Sequence, residues 1–156
     1  MMKEMRRKNQ ELSREETLAL FERNTGGVLS LCGSDGQPYG VPLNYAQDDD
    51  GLYFHWAKDG FKLDLARENN KASFTVIDAD EIIGEKYTSA YRSGIIFGRL
   101  SFLEGEEAYR AMKLLIEKYS SDQPLEEKEM KAHCKGAVVV RLSLDEVTGK
   151  KGKETV

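Results

Sequence analysis

Paired cysteines, a long apolar run and a glycine-rich dinucleotide loop are all missing from this chain of 156 residues. Cys32 and Cys134 stand singly, without a CxxC, so a disulfide scaffold is not expected. His55 and His133 do not complete a ligand spacing with them, and no zinc site is expected. No apolar stretch approaches the roughly 20 residues that cross a bilayer as a helix. The GxGxxG fingerprint is absent, so any nicotinamide dinucleotide is expected to bind transiently or not at all. The net charge of −4 gives no bulk electrostatic case for nucleic acid or a membrane surface. Basic residues gather only at 3–8 and 150–153, short stretches that read as solvated termini. The polar N-terminus does not read as a secretory signal, and a cytoplasmic location is expected.

What is present is a patterned set of short elements. The chain is expected to form a single domain over 1–156, with flexible tails at 1–12 and 149–156. Ser13, Arg14, Glu15 and Glu16 read as a capping box opening a helix, with Leu18 and Phe21 on one face and Gly26 past its end. Strands are expected at 28–32, 39–46, 52–57, 72–77 and 95–103, with a last one at 137–142. Gly98 inside its strand implies a bulge or a close backbone neighbour. Asp78, Ala79, Asp80 and Glu81 read as a turn or loop, and 82–90 as partly strand. Helices are expected at 61–68, 106–119 and 125–133, with a loop at 120–124. Ala108, Met112, Leu115 and Tyr119 recur at helical spacing and mark a packed face. About six strands with helices outside fit a small barrel.

Two segments carry the chemistry. Val41, Pro42, Leu43, Asn44 and Tyr45 end one strand, and the turn at Asp48, Asp49, Asp50 and Gly51 starts the next. Along Leu52, Tyr53, Phe54, His55, Trp56 and Ala57, strand alternation puts His55 and Ala57 on one face. Gly60 then ends the strand, and Lys62 falls in the first turn of a helix. Cations are ordinarily unfavourable there, but a phosphate reverses that: free N–H groups and an ammonium together make an anion site. The plain alternative is a solvated lysine and a histidine that pins the hairpin.

The run from Gly36, Gln37, Pro38 and Tyr39 through Asn44, His55, Gly60, Lys62, Asn69 and Asn70 resembles the nitroimidazole-reductase-like branch of the pyridoxamine 5'-phosphate oxidase-like family. The similarity continues through Arg92, Ser93, Gly94, Ile95, Ile96, Phe97 and Gly98. It implies a mainly β fold with helices, a six-stranded split β-barrel that binds FMN. It places Lys62 at the flavin phosphate. It sets Val41, Pro42, Leu43 and Asn44 beside the ring, with Asn44 at its polar edge, and His55 and Ala57 near the ring or ribityl chain. In that family the flavin lies between two subunits, so a homodimer is implied, with Ser93 and Ile95 reaching it from the partner and Arg92 adding charge. Apolar strands at 95–97 and 138–140 offer further surface for such an interface. The arginine-led strand and the Ser-Arg-Lys of the true oxidases are replaced by Val-Pro-Leu-Asn and Gly60-Phe61-Lys62, which puts vitamin B6 oxidation in doubt.

The expected activity is that of an FMN-dependent oxidoreductase, taking electrons from a small donor to a nitroaromatic or quinone-type acceptor. His55 is the candidate catalytic residue, as a proton donor. The alternative is a flavin- or haem-binding module for storage, sensing or sequestration.

Overall fold

The computed structural model describes residues 2–120, 122 and 125–154. Helix α1 (Arg14–Arg23) opens on the expected capping box: the Glu16 N–H donates to Ser13 Oγ at 3.1 Å and the Ser13 N–H to Glu16 Oε2 at 2.7 Å. The sheet strands are β1 (Glu11–Leu12), β2 (Gly26–Cys32), β3 (Pro38–Asn44), β4 (Ala46–Asp48), β5 (Gly51–Trp56), β6 (Lys71–Ile83), β7 (Thr88–Leu103), β8 (Val138–Ser143) and β9 (Glu146–Lys151). The remaining helices are α2 (Phe61–Glu68), α3 (Gly105–Tyr119) and α4 (Glu127–Gly136). All strand pairs are antiparallel, in the order β3-β2-β6-β7-β8-β5-β4, with β9 between β7 and β1. β3 and β4 end this path and do not pair with each other among the described residues, so the sheet is an open, split barrel, mainly β with four helices.

Strand β7 makes the split. Its first half carries β9 through residues 92–97, and its end carries β8 through 100–103, while β6 runs along the other edge. Gly98 sits where β7 passes from one partner to the next. A Cβ there would run into the Ser143 carbonyl, which is why only glycine fits.

The interior is aromatic. Phe21, Tyr45, Phe54 and Phe74 are buried together, with Phe74 and Tyr45 ring centres 4.9 Å apart. The Tyr45 hydroxyl donates to the Phe21 carbonyl. At the corner between β3 and β4, the Tyr119 hydroxyl accepts from the Tyr45 N–H at 2.9 Å and lies within hydrogen-bond reach of the Tyr45 and Thr25 carbonyls. The end of α3 thus holds the unpaired corner. A second, smaller cluster lies under α3 and α4, built from Ala108, Ala111, Met112, Leu115 and Met130 against Tyr53 and Val139.

Several sequence expectations change. Asp78 to Glu81 do not form a turn: they continue β6, and the register shift between Ile77 and Ala79 makes Asp78 a bulge. Asp78 is pinned there by Arg23, whose Nε donates at 2.8 Å, and by Asn24 Nδ2 at 2.7 Å. The tail expected from 149 is partly strand, because Gly149 and Lys150 pair with β7 and β1. In the other tail, Glu11 and Leu12 form β1 and Gln10 is buried. The loop expected at 120–124 falls partly outside the described residues, and the helix after it runs Glu127–Gly136. Val139 and Val140 are consumed inside the chain, one in each cluster, and supply no interface surface.

Candidate functional site

Alternation splits the four β3 candidates between two faces. Val41 and Leu43 point inward and are half-buried against the core, whereas Pro42 and Asn44 are exposed on the outside. Cross-strand pairing carries Pro42 to Val28, Val28 to Thr75, Thr75 to Ile95 and Ile95 to Thr148. One row therefore links Pro42 and Ile95 on a single outer face. Ser93 lies on the same face, two residues along β7 and opposite Ile77. This face carries glycines and hydroxyl residues (Gly26, Gly40, Ser30, Ser73, Thr75) together with exposed Val28 and Ile77. Arg92 takes the other orientation, with Nε 3.9 Å from Asp78 Oδ2.

Lys62 begins a second group. Gly60, at φ 134°, is the N-cap of α2, a conformation L side chains rarely adopt, and no side chain caps the helix. The N–H groups of the first turn thus stay available. Lys62 Nζ lies 5.7 Å from the centre of the Trp56 ring and forms no ion pair among the described residues. The buried Trp56 Nε1 beneath it has no hydrogen-bond partner there. Phe61 stacks edge-on against Tyr39 with ring centres 5.0 Å apart, which ties the start of α2 to the start of β3. From Gly40 to Asn44 the outer face of β3 then runs about 14 Å away from that helix end.

His55 and Ala57 occupy a third position. They line a cavity of about 630 Å³ with His133 and Glu129 of α4 and with Met112 of α3. His55 sits opposite Val139 of β8, on the helix side of the sheet. Although His55 is exposed, loss of water on its cavity side, and then the nearby His133, push the imidazole below its ordinary value. It is therefore mostly neutral at neutral pH. The structure sets Pro42, Asn44, Ser93 and Ile95 on one face, with β2 and β6 between β3 and β7; it places Lys62 over Trp56 beside the start of β3, and sets His55 and Ala57 beside α4.

Three residues at these cavities were not picked out from the sequence as site residues. His133 reaches the His55 cavity because α4 folds back over β8. Lys58 and Phe102 border a larger cavity beyond it. The only local signal for His133 is its place three residues after the buried Met130, near one turn on.

The sequence pattern described as pyridoxamine 5'-phosphate oxidase matches residues 13–151. The chain belongs to the pyridoxamine 5'-phosphate oxidase-like family. Among solved structures it is similar to a candidate 5-nitroimidazole antibiotic resistance protein of Bacteroides thetaiotaomicron, at 21% identity and TM-score 0.77, over 90% of this chain and 86% of that one. It is also similar to an FAD-binding protein of Mesorhizobium loti (26% identity, TM-score 0.66, 92% and 98% covered). A third is an FAD- and haem-binding protein of Mycobacterium smegmatis (16%, TM-score 0.77, 94% and 75%). No curated protein matches. No helix among the described residues is long and apolar enough to cross a membrane.

Proposed function

We propose that this member of the family binds FMN between two copies of itself and acts as an oxidoreductase on small electrophiles such as nitroaromatics or quinones. The observation that carries the reading is the Lys62 ammonium, without an ion pair among the described residues, at the start of α2, where none of their side chains caps the helix. Free N–H groups, a cation and an unpartnered indole N–H suit a terminal phosphate. The length of β3 from Gly40 to Asn44 suits the flavin body, with Asn44 offering a donor and an acceptor to the ring edge. FMN, when bound, supplies reversible electron carriage. The protein's own part is to hold the phosphate at Lys62, to lay a flat, small-residue face against the ring, and to keep a proton source at hand.

The outer face supports the two-copy assembly. Ile77 is 67% exposed and Val28 39%, and both share it with Ile95. Two such faces packed about a two-fold axis bring the partner's Ser93 and Ile95 over Pro42 and Asn44. A stable interface of this kind buries on the order of 1,600 Å².

For His55, the role is proton delivery to the acceptor or pinning of the site. Its lowered basicity means that proton delivery falls off below the usual histidine range as pH rises. The second reading is a haem- or flavin-sequestering module, favoured by one observation: His55 and His133 line one cavity, and imidazoles ligate haem iron.

The experiment is paired titration with FMN and riboflavin. Lys62→Ala should weaken FMN at least tenfold, the weight of about 1.5–3 kcal/mol for a charge-assisted bond. Riboflavin affinity should barely move. Equal losses for both ligands would remove Lys62 from the phosphate.

A further inference from the structure

Beyond the His55 cavity lies a larger one that the proposed chemistry does not use. It measures about 1300 Å³ and opens between the end of β7, the first turns of α3 and the helix α4. Its apolar wall includes Phe102, a β7 ring left 41% exposed. The Arg67 guanidinium lies 6.0 Å from the centre of that ring. Lys58 stands at the same cavity, and neither cation forms an ion pair among the described residues. Ala137 lines both cavities, so they meet at the start of β8.

An exposed aromatic ring with a guanidinium over it is a stacking platform. A purine base has a π face for the ring, and the planar guanidinium that now covers the ring must swing aside to stack on the base's other face. A free ammonium nearby matches a phosphate. On the α3 side, the first-turn carboxylates Glu106 and Glu107 accept from an exocyclic amino group and repel a phosphate. Arg110 of α3 and Lys131 and Lys135 of α4 also line the cavity, so its wall is of mixed charge; Phe102 sets the base, and Lys58, four residues before Lys62 and without an ion pair among the described residues, takes the phosphates.

We infer that this cavity takes the adenosine diphosphate portion of a dinucleotide, its adenine stacked on Phe102 and its diphosphate at Lys58. The inference rests on the flavin reading for the neighbouring site. Two molecules carry this group to a flavin site: FAD, and a nicotinamide dinucleotide donor.

The test titrates the full chain with ADP, FMN, FAD and NADPH. ADP should bind the protein. Phe102→Ala should weaken ADP at least tenfold, the scale of a lost base stack, while FMN affinity and thermal midpoint stay unchanged. Lys58→Ala should cost less, and its cost should fade in high salt. Displacement of NADPH by ADP with FMN in place assigns the cavity to the donor, and competition with FAD alone assigns it to the adenylate of FAD. Either supports the inference. Absence of ADP binding, or equal ADP affinity in wild type and both variants, overturns it. Failure of every flavin to bind strikes the flavin reading instead, since ADP binding is read by itself.

Discussion

The molecule has two hydrophobic clusters of different character. The barrel interior is filled by large rings, Phe21, Tyr45, Phe54 and Phe74, each fully buried and in contact with another. The cluster under α3 and α4 is made of alanine, methionine and leucine, with Tyr53 from the sheet. Rings on rigid strands interlock, whereas alanines and methionines pack with more give. Among the residues of α4, Met130 alone is buried. The cavities that hold His55, His133, Lys58 and Phe102 all adjoin this softer layer. Rigidity lies in the barrel, and the ligand-sized space lies where the packing is easiest to adjust.

The largest expected effect breaks that contrast directly. Phe74→Ala should destabilise the whole fold by about 3–5 kcal/mol, since the surrounding rings cannot collapse into the gap. Met130→Ala should cost about 2 kcal/mol, at the low end for such a change. It should also speed amide exchange in α4 while β6 stays protected. Chemical denaturation with hydrogen exchange separates the two. Equal global losses from both substitutions would show one cooperative core.

Much of the fold was legible because its signals are local. The Ser13–Glu16 box, the Asp48–Gly51 turn and the Gly60 helix start are each set by neighbours in sequence. The acidic run Asp78–Glu81 misled because a bulge held by Arg23, far away in the chain, overrides its turn-like composition. Lysine-rich β9 was hidden for the same reason: its partners are β1 and β7, and Gly149 is needed because a Cβ there would meet Thr17. The place of Lys62 in the first turn of α2 could be read from its spacing after Gly60. The split of Pro42 and Asn44 from Val41 and Leu43 follows from alternation. The meeting of His55 with His133 depends on how α4 folds back, and no local pattern encodes it.

A smaller effect sharpens the picture of the helix layer. His55 is depressed first by the loss of water on its cavity side and then by His133. Its neutral form is the one the fold prefers, so its contribution to stability is complete above the unfolded value near 6.5. That contribution is lost as pH falls through 6.5 toward the folded value. His133→Ala should raise the His55 titration toward the ordinary range without restoring it fully, because that loss of water remains. Imidazole NMR titration across pH 5 to 8 reads the shift. An unmoved His55 curve would place the two rings too far apart to interact.

The central claim is that Lys62 at the start of α2 helps to hold a flavin, and the visible spectrum of the freshly purified protein tests it most directly. The account predicts the two flavin bands, bleached by dithionite and restored by a nitroaromatic acceptor. A colourless protein that takes up no added FMN, or a haem Soret band with no flavin bands, would contradict it.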